Sequence, residues 1–263
     1  MDSNLLTKYK LNYSCNEEDS IQQLLNRIYN YIDEPTRQFH RMRINTFVEI
    51  LNELKLKKQI KSYDKALDIG CNCGFYSKLI SDAGFSEVRG IDLDSPLIDI
   101  AKTEFSSKKE GQKISFDVFN AENLDESKVD FILCTEVIEH TSNPQKVIDI
   151  IHNKLSPGGI AVISLPNGNS YPYFLTKLSY KLRGKKIEGE LYDHLQYPSH
   201  RSRKLFSFQD FDIIKTTGTN LFYWYFLHKL PGFPLINKLN YVLGKSSLLK
   251  NYTQFYFLVL KKH

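Results

Sequence analysis

The sequence predicts an α/β fold: a doubly wound, mostly parallel seven-stranded sheet of the Rossmann-like type, with N-terminal helices and a helical, aromatic lid insertion. The main observation is that short apolar runs alternate with segments of helical periodicity from Lys65 to Pro166. The second is a glycine turn, in which the apolar run Ala66–Ile69 is followed by Gly70, a short loop ending in Gly74 and an apolar helical pattern. Repeated strand–helix units of this kind are typical of a parallel sheet that helices cover on both faces.

The composition is that of an ordinary globular domain. With 263 residues, 41% of them apolar and 25% charged, the chain is long enough to bury one large core. A net charge of +5 permits an anionic partner without requiring one. The first fifteen residues contain no apolar segment of the kind found in signal peptides, so we expect a cytoplasmic protein.

The four cysteines are not expected to form disulfides or a metal site. Cys71 and Cys73 form a C-x-C pair in the glycine turn, Cys134 ends an apolar run and Cys15 lies near the start of the sequence. One pair with a remote third cysteine lacks the fourth ligand and the C-x₂-C spacing of a zinc site. We therefore expect reduced thiols that fill a tight turn, and no bound metal.

Two helices are predicted before the first strand. Apolar residues share one helical face over 19–33, which Pro35 ends, and a second helix is predicted over 36–56. Two further helices have start signals, since Ser95 and Asn143 are each followed by proline and are predicted N-caps.

Seven short apolar runs bounded by turn residues predict the strands of the sheet. Because the C-terminal run alternates in polarity, we place it at an antiparallel edge. The predicted strands span residues 65–69, 87–92, 113–118, 129–134, 160–165 and 211–217, and a final strand from Tyr252.

This pattern divides the chain into a cap and a main domain. Residues 1–62 are assigned to an N-terminal helical cap and residues 63–263 to the domain that contains the sheet. Regular alternation stops after Asn167, so we expect 168–210 and 219–250 to be insertions that cover a substrate.

Polar residues at the ends of the predicted strands indicate a nucleoside site. In an open parallel sheet, ligands lie beyond the carboxyl ends of the strands. Asp92 ends the second strand about twenty residues after the glycine turn, where a carboxylate can accept both hydroxyls of a ribose. Gly70 and Gly74 permit close backbone approach, and the helix start after them favours an anion. Their G-x-x-x-G spacing differs from the G-x-G-x-x-G of nicotinamide dinucleotide enzymes.

Five motifs between Lys65 and Asn167 occur together in one order: ALDIGCNCGFYS, VRGIDLD, FNAENL, FILCTEVIEH and LSPGGIAVISLPN. In these motifs the chain resembles the class I S-adenosylmethionine-dependent methyltransferases, and among them the small-molecule enzymes that include the ubiquinone-biosynthesis O-methyltransferases. The matched stretch is roughly two-fifths of the chain. The resemblance implies S-adenosyl-L-methionine as the cofactor and S-adenosyl-L-homocysteine as the product.

The resemblance also implies which residues bind the cofactor. Asp92 would bind the ribose hydroxyls, and Leu93 and Asn120 would contact the adenine. Asn72 stands where the family has its middle glycine, and Asn120 stands where it commonly has an acidic residue. The complete set of expected cofactor-binding residues is Asp68, Gly70, Cys71, Gly74, Asp92, Leu93, Asn120, Ala121, Thr135 and Glu136.

A hydroxyl acceptor must lose its proton during methyl transfer, which requires a base, and histidine suits that role near neutral pH. His140 follows the fourth predicted strand, while His194 and His200 lie where related enzymes close over their substrates. The alternative for each of the three is a structural or surface role.

The expected activity is methylation of a hydroxyl on a small molecule such as a quinone precursor, a sugar or a lipid-linked glycan. Residues 171–187 interleave aromatic and basic side chains, so three interpretations of them stay open: peripheral contact with an anionic membrane, RNA binding in an RNA methyltransferase, or an insertion that packs on the sheet. Nucleic acid is the less favoured partner. Asn72 and Asn120 leave open a non-catalytic, cofactor-binding partner subunit.

Overall fold

One mixed eight-stranded sheet organises the chain. The computed structural model describes residues 34–109, 111–124, 127–207, 211–222 and 233–263, and all structural statements concern these ranges. The strands are β1 (Lys65–Ile69), β2 (Glu87–Asp92), β3 (Ser107–Lys109), β4 (Gln112–Val118), β5 (Val129–Thr135), β6 (Leu155–Pro166), β7 (Phe211–Thr219) and β8 (Phe255–Lys262).

The sheet has a parallel centre and antiparallel margins. Its strand order is β3-β4-β2-β1-β5-β6-β8-β7, and the strands from β4 to β6 pair in parallel. The chain moves from β1 outward through β2 to β4, and then returns to β5 on the other side of β1. This reversal at β1 creates a crevice beyond the carboxyl ends of β1, β2 and β5, which is where such sheets bind ligands.

The seven predicted strands are confirmed, with one correction to their arrangement. The eighth strand, β3, is a three-residue segment antiparallel to β4 at the edge. The C-terminal strand β8 is antiparallel as expected but does not lie at the edge, because it pairs with β6 on one side and β7 on the other. Residues 255–260 are buried on both faces, as an interior strand requires, whereas β7 alternates between buried and exposed positions.

Eight helices surround the sheet in the described ranges. The predicted helix over 36–56 is confirmed, while the one over 19–33 lies outside the described residues. Asn143 is the predicted N-cap, but Asp94 replaces Ser95 as the other cap because its carboxylate accepts the N–H of Leu97. The helices are α1 (Glu34–Leu56), α2 (Phe75–Asp82), α3 (Ser95–Phe105), α4 (Pro144–Lys154), α5 (Tyr171–Leu182), α6 (Glu190–Leu195), α7 (Ser199–Ser207) and α8 (Phe233–Gly244).

Two buried apolar clusters lie on opposite faces of the sheet. In the first, Phe47 of α1 and Leu79 of α2 pack with residues of β1, β5 and β8. In the second, Ile148 of α4 and Phe206 of α7 pack against the other face. Because α1 belongs to the same core as α2, the predicted N-terminal cap is an integral part of the packing in its described portion.

The expected insertions contain four of the helices. The first, 168–210, holds α5, α6 and α7, and the described part of the second, 219–250, holds α8. An ion pair between Lys245, just after α8, and Glu49 of α1 ties the second insertion to the helix before the sheet. The domain boundaries at 62 and 63 stay a prediction. None of the helices in the described ranges is long and apolar enough to cross a membrane.

The glycine at position 74 is required by packing and by backbone geometry together. Its φ is +81°, and a Cβ there would lie 2.7 Å from the ring of Phe116 and 2.9 Å from the Cβ of Ala101. We expect Gly74→Ala to lower the free energy of unfolding by about 3 kcal/mol, as the sum of backbone strain and overpacking. Gly184, with φ +62° and nothing within 4 Å of its Cβ position, gives the matched control.

Gly184→Ala adds the same strain without the clash, so its expected cost is about 1 kcal/mol. Urea unfolding followed by circular dichroism measures both values. Equal costs for the two variants would contradict the packing role of Gly74.

Candidate active site

A cavity of about 360 Å³ opens at the carboxyl ends of β1, β2 and β5, within the size range of small-molecule sites. It lies at the reversal of strand order, where the sequence predicts the ligand. Eight of the ten expected cofactor-binding residues line it, and the other two, Asp68 and Gly74, do not. The eight are Gly70, Cys71, Asp92, Leu93, Asn120, Ala121, Thr135 and Glu136.

Asp92 connects the second strand to the turn that follows the first. One carboxylate oxygen accepts the N–H of Asn72 at 2.8 Å, and the other accepts the N–H of Asp94 at 3.0 Å. Each oxygen of a carboxylate can accept more than one hydrogen bond, so Asp92 can still bind a ligand hydroxyl. The carboxylate is thus held in a fixed orientation at the cavity wall.

Asn72 fits the turn although the resemblance implies glycine at this position. Its φ is +50°, in the left-handed region that asparagine tolerates better than most side chains. Its side-chain oxygen accepts the N–H of Cys73 at 2.8 Å. The substitution therefore keeps the turn geometry that a glycine would give.

Four amides of the glycine turn, which precede the helix start that the sequence predicts to favour an anion, are used within the protein. The N–H groups of Gly70 and Cys71 donate to the carbonyl of Ile91, and those of Cys73 and Gly74 donate within the turn. Gly70 is needed for close packing, since a Cβ there would lie 2.1 Å from a methyl of Val137. These four amides are therefore not available to a ligand anion, which another group in the cavity can match.

That group is Arg43, a residue that sequence reasoning missed. Among the lining side chains of the described residues, Arg43 is the only Arg or Lys. It comes from α1, and its guanidinium carbon lies 4.6 Å from the ring centroid of Phe255. No local sequence motif marks Arg43 as a site residue. It reaches the cavity only because α1 packs across the sheet.

His40 and Tyr76 also line the cavity and were not predicted. Burial, with the positive charge of Arg43, lowers the pKa of His40 from 6.5 to about 4, so its imidazole is neutral near pH 7. Burial raises the pKa of Tyr76 to about 12, so its phenol keeps its proton.

Glu136 occupies a strained position at the end of β5. Its φ of +53° is unusual for glutamate, and such strain concentrates at functional sites. Ser164 of β6 holds it twice, since the hydroxyl donates to the carboxylate at 2.7 Å and the carbonyl accepts the Glu136 N–H at 3.1 Å. Burial raises the pKa of Glu136, an effect that Arg43 and the Ser164 hydroxyl oppose. A basic and an acidic side chain, Arg43 and Glu136, thus face the same cavity.

The three candidate histidines have different positions. His140 lines the cavity, and its Nε2 lies 3.8 Å from a carboxylate oxygen of Glu139. His194 of α6 lies beside it, with ring centroids 5.6 Å apart, and its Nδ1 is 2.8 Å from the hydroxyl of Tyr173. His200 is exposed on α7 and does not line the cavity. The structure brings together the first two candidates and leaves the third apart.

Glu139, His140 and His194 also place one ligand atom each within 4.8 Å of one another, a grouping that can hold a metal ion. No metal is expected from the sequence, in which His194 lies far from Glu139 and His140 and reaches them only through the placement of α6. The described cysteines form no part of this group; Cys71, Cys73 and Cys134 are buried thiols. Burial raises the pKa values of Cys71 and Cys134, which keeps these two in the neutral form.

Comparison with known proteins identifies the family. A family model described as a methyltransferase domain matches residues 25–215, which is most of the chain. The chain therefore belongs to the methyltransferase domain family, as its motifs predicted. It is 26% identical over 136 residues to a ubiquinone biosynthesis O-methyltransferase from Paraburkholderia phymatum and 31% identical over 135 residues to one from Coxiella burnetii.

These alignments cover 51% and 49% of the chain, and 57% and 56% of the two relatives, so the chain spans little more than half the length of each.

Solved structures show the same fold. Magnesium protoporphyrin IX methyltransferase from Synechocystis, solved with bound SAH, superposes with a TM-score of 0.58 at 15% identity over the whole of both chains. A protein from Pyrococcus horikoshii superposes with a TM-score of 0.55 at 19% identity, over 91% of this chain and 99% of the other. The predicted class I methyltransferase fold is confirmed.

Asp68 makes the stability of the protein depend on pH. It is buried behind the cavity, its Oδ2 accepts the hydroxyl of Ser77 at 2.6 Å, and burial with help from Asp92 raises its pKa from 3.8 to about 7. As pH rises above about 4 the unfolded chain loses this proton while the folded protein keeps it, so stability falls until the pH reaches about 7.

We expect Asp68→Asn to remove this component of the pH dependence. The free energy of unfolding of the variant, relative to wild type, should increase between about pH 4 and about pH 7 and then stay level. Urea titrations across that range measure it, and Asp99→Asn on the exposed face of α3 is the control. A constant difference between Asp68→Asn and wild type would contradict the prediction.

Proposed function

We propose that this protein transfers a methyl group from S-adenosyl-L-methionine to a hydroxyl of a small molecule. The observation that supports this most directly is the Asp92 carboxylate, fixed by the Asn72 and Asp94 amides at the wall of the cavity where strand order reverses. A carboxylate at this position suits the two hydroxyls of a ribose. Family membership supplies the class of reaction.

The cavity offers a complementary group for each part of the cofactor. Asp92 would bind the ribose hydroxyls, with Leu93, Asn120 and Ala121 along the adenine. The Oδ1 of Asn120 already accepts the N–H of Glu122 at 2.8 Å, which holds this side chain in place. Arg43 would pair with the carboxylate of the methionyl end and Glu136 with its ammonium, since charges of opposite sign attract strongly in a partly buried site.

The bound cofactor would supply a methyl group activated by its sulfonium charge. The protein must then position the acceptor, exclude water and remove the acceptor's proton. His140 is the residue we assign to proton removal, because it lines the cavity and the Glu139 carboxylate, 3.8 Å from its Nε2, would attract the imidazolium that forms. His40 is a poorer base, since its pKa is lowered to about 4.

A phenolic hydroxyl of a quinone precursor is the acceptor that we favour among those considered. The relatives named above are O-methyltransferases of ubiquinone biosynthesis. The buried Tyr173 contacts His194, and the partly exposed His194 ring lies beside His140, where a flat ring can pack on it. Sugars and lipid-linked glycans offer less apolar surface for such packing.

The two alternative functions have less support. Asn72 and Asn120 are the residues that indicate a non-catalytic subunit, yet Asn72 preserves the turn and Asn120 accepts a local hydrogen bond. Only residues 171–187 indicate RNA binding, and neither named relative is described as acting on RNA.

Cofactor binding is tested by calorimetric titration with S-adenosyl-L-methionine. We expect micromolar binding by the wild type, and Asp92→Ala should weaken it by about 10- to 100-fold, the effect of losing charge-assisted hydrogen bonds. Asp99→Ala, which removes an exposed carboxylate from α3, should bind like the wild type. Asp92→Asn keeps an oxygen that can accept the Asn72 N–H but removes the negative charge. Comparing it with Asp92→Ala separates the effect of the lost charge from the effect of a loosened turn. Unchanged binding in both Asp92 variants would overturn this placement of the cofactor.

Proton removal by His140 is tested with labelled S-adenosyl-L-methionine and a prenylated phenol that bears two adjacent hydroxyls. We expect His140→Gln to lower kcat by about 100-fold or more, the usual contribution of a general base, with little change in cofactor affinity. His200→Gln is the matched control and should keep the wild-type kcat. Retained kcat in His140→Gln would exclude it as the base. Loss of wild-type activity on adding EDTA would instead assign the Glu139–His140–His194 group to a metal ion.

A further inference from the structure

The solvent-facing side of α5 is apolar, the reverse of an ordinary surface helix. Phe174, Leu178 and Leu182 follow one another at intervals of four residues and are 57%, 43% and 79% exposed. The opposite side of the helix contains Pro172 and Tyr173, which are buried. Residues four apart share one face of a helix, so the three side chains form a continuous apolar stripe in water.

A second stripe of the same kind lies on α8. Leu235, Leu239 and Val242 share one face and are each more than half exposed, while Asn240 and Tyr241 are buried on the other. Phe222 links the two helices: its ring packs edge-on against Tyr171 at 5.7 Å, and its backbone exchanges two hydrogen bonds with the Asn240 side chain. The two helices are therefore joined through Phe222, and we call their two apolar stripes together the α5–α8 face.

Positive charge accompanies this face. Residues 168–187 and 213–263 contain no Asp or Glu. Lys177, Lys181 and Lys185 line an open cavity of about 460 Å³ between α5 and α6, together with Tyr180 and Tyr192. Arg183 and Lys186 are exposed beside them. Lysines around a concave site next to an apolar stripe suit phosphate groups that lie at the boundary of a hydrocarbon layer.

We propose that the α5–α8 face binds the surface of an anionic phospholipid bilayer, with the apolar stripes in the acyl boundary and the lysines at the phosphates. The positive charge of the lysines favours an anionic bilayer as the partner of this face. A symmetric dimer through the same face would bring like-charged lysines together, since each copy presents the same patch. Contact of this kind is peripheral and needs no spanning helix.

The face is also connected to the cavity. Phe174 is exposed in the stripe, and the preceding residue, Tyr173, points inward with its hydroxyl 2.8 Å from His194 Nδ1. His194 in turn lies beside the cavity residue His140. A protein bound through α5 would hold its cavity close to the lipid surface, where an acceptor with an apolar tail would be concentrated. Bilayer binding itself does not depend on the proposed methyl transfer.

Co-sedimentation of the full chain with vesicles tests the proposal. We expect binding to phosphatidylcholine vesicles that contain phosphatidylglycerol, weaker binding to pure phosphatidylcholine, and weaker binding as salt is added. The triple variant Phe174→Ser, Leu178→Ser, Leu182→Ser should bind at least about ten-fold more weakly. Its control is Leu56→Ser with Val118→Ser, which removes exposed apolar side chains from α1 and β4.

The charge contribution is tested in the same way. Lys181→Glu with Lys185→Glu should weaken binding to the anionic vesicles by at least about ten-fold, while Lys102→Glu with Lys128→Glu should have little effect. Circular dichroism and calorimetric titration with S-adenosyl-L-methionine show whether each variant is folded and whether cofactor binding is intact, independently of lipid.

Three results would overturn the proposal. The first is that the protein does not bind the anionic vesicles at low salt. The second is that the test and control variants weaken binding equally. The third is a concentration-dependent dimer that the triple variant abolishes while vesicle binding persists. Preferential binding of tRNA over anionic vesicles at the same salt concentration would assign the lysines to nucleic acid instead.

Discussion

The hydrogen bond from the Asn72 amide to the Asp92 carboxylate joins the two halves of the site. It ties the turn after β1 to the end of β2, and the second oxygen of Asp92 fixes the start of the segment that leads into α3. The parallel pairing of β1 with β2 brings these groups into register, since Ile69 lies opposite Ile91. Two hydrogen bonds therefore hold the cavity wall where we propose that the cofactor binds, and α1 and the segments after β4 and β5 add other lining groups.

Most of the parallel sheet could be predicted from the sequence because its signals are local. Apolar runs, glycine turns and proline after a cap residue each depend on a few neighbouring residues. The position of β8 could not be predicted in this way, because strand order depends on pairing between distant segments. An alternating strand can occupy an edge or, as residues 255–260 show, an interior position buried on both faces. The exchange of Asp94 for Ser95 as a cap is a smaller case, decided by which side chain reaches the Leu97 amide.

The site was predictable to the same extent and for the same reason. Residues at strand ends, such as Asp92 and Thr135, follow from topology, whereas Arg43 and His40 belong to a helix whose sequence shows only an amphipathic pattern. Asn72 is a different case, since its residue type differs from the expected glycine although asparagine adopts the left-handed conformation of this turn. At position 72 the backbone conformation, and not the residue type, is what the turn requires. Asparagine can therefore replace glycine in this turn.

The interior position of β8 has a consequence for biosynthesis. Residues Ile160–Pro166 of β6 pair with β8, and the whole of α5 through α8 must be made between Pro166 and Phe255. At translation rates of about 5–20 residues per second, the apolar edge of β6 waits several seconds for its partner. Unpaired strand edges of this kind recruit other chains, so the nascent protein is most exposed to aggregation in that interval. The ribosome and its associated chaperones, more than the finished fold, must protect this edge until β8 arrives.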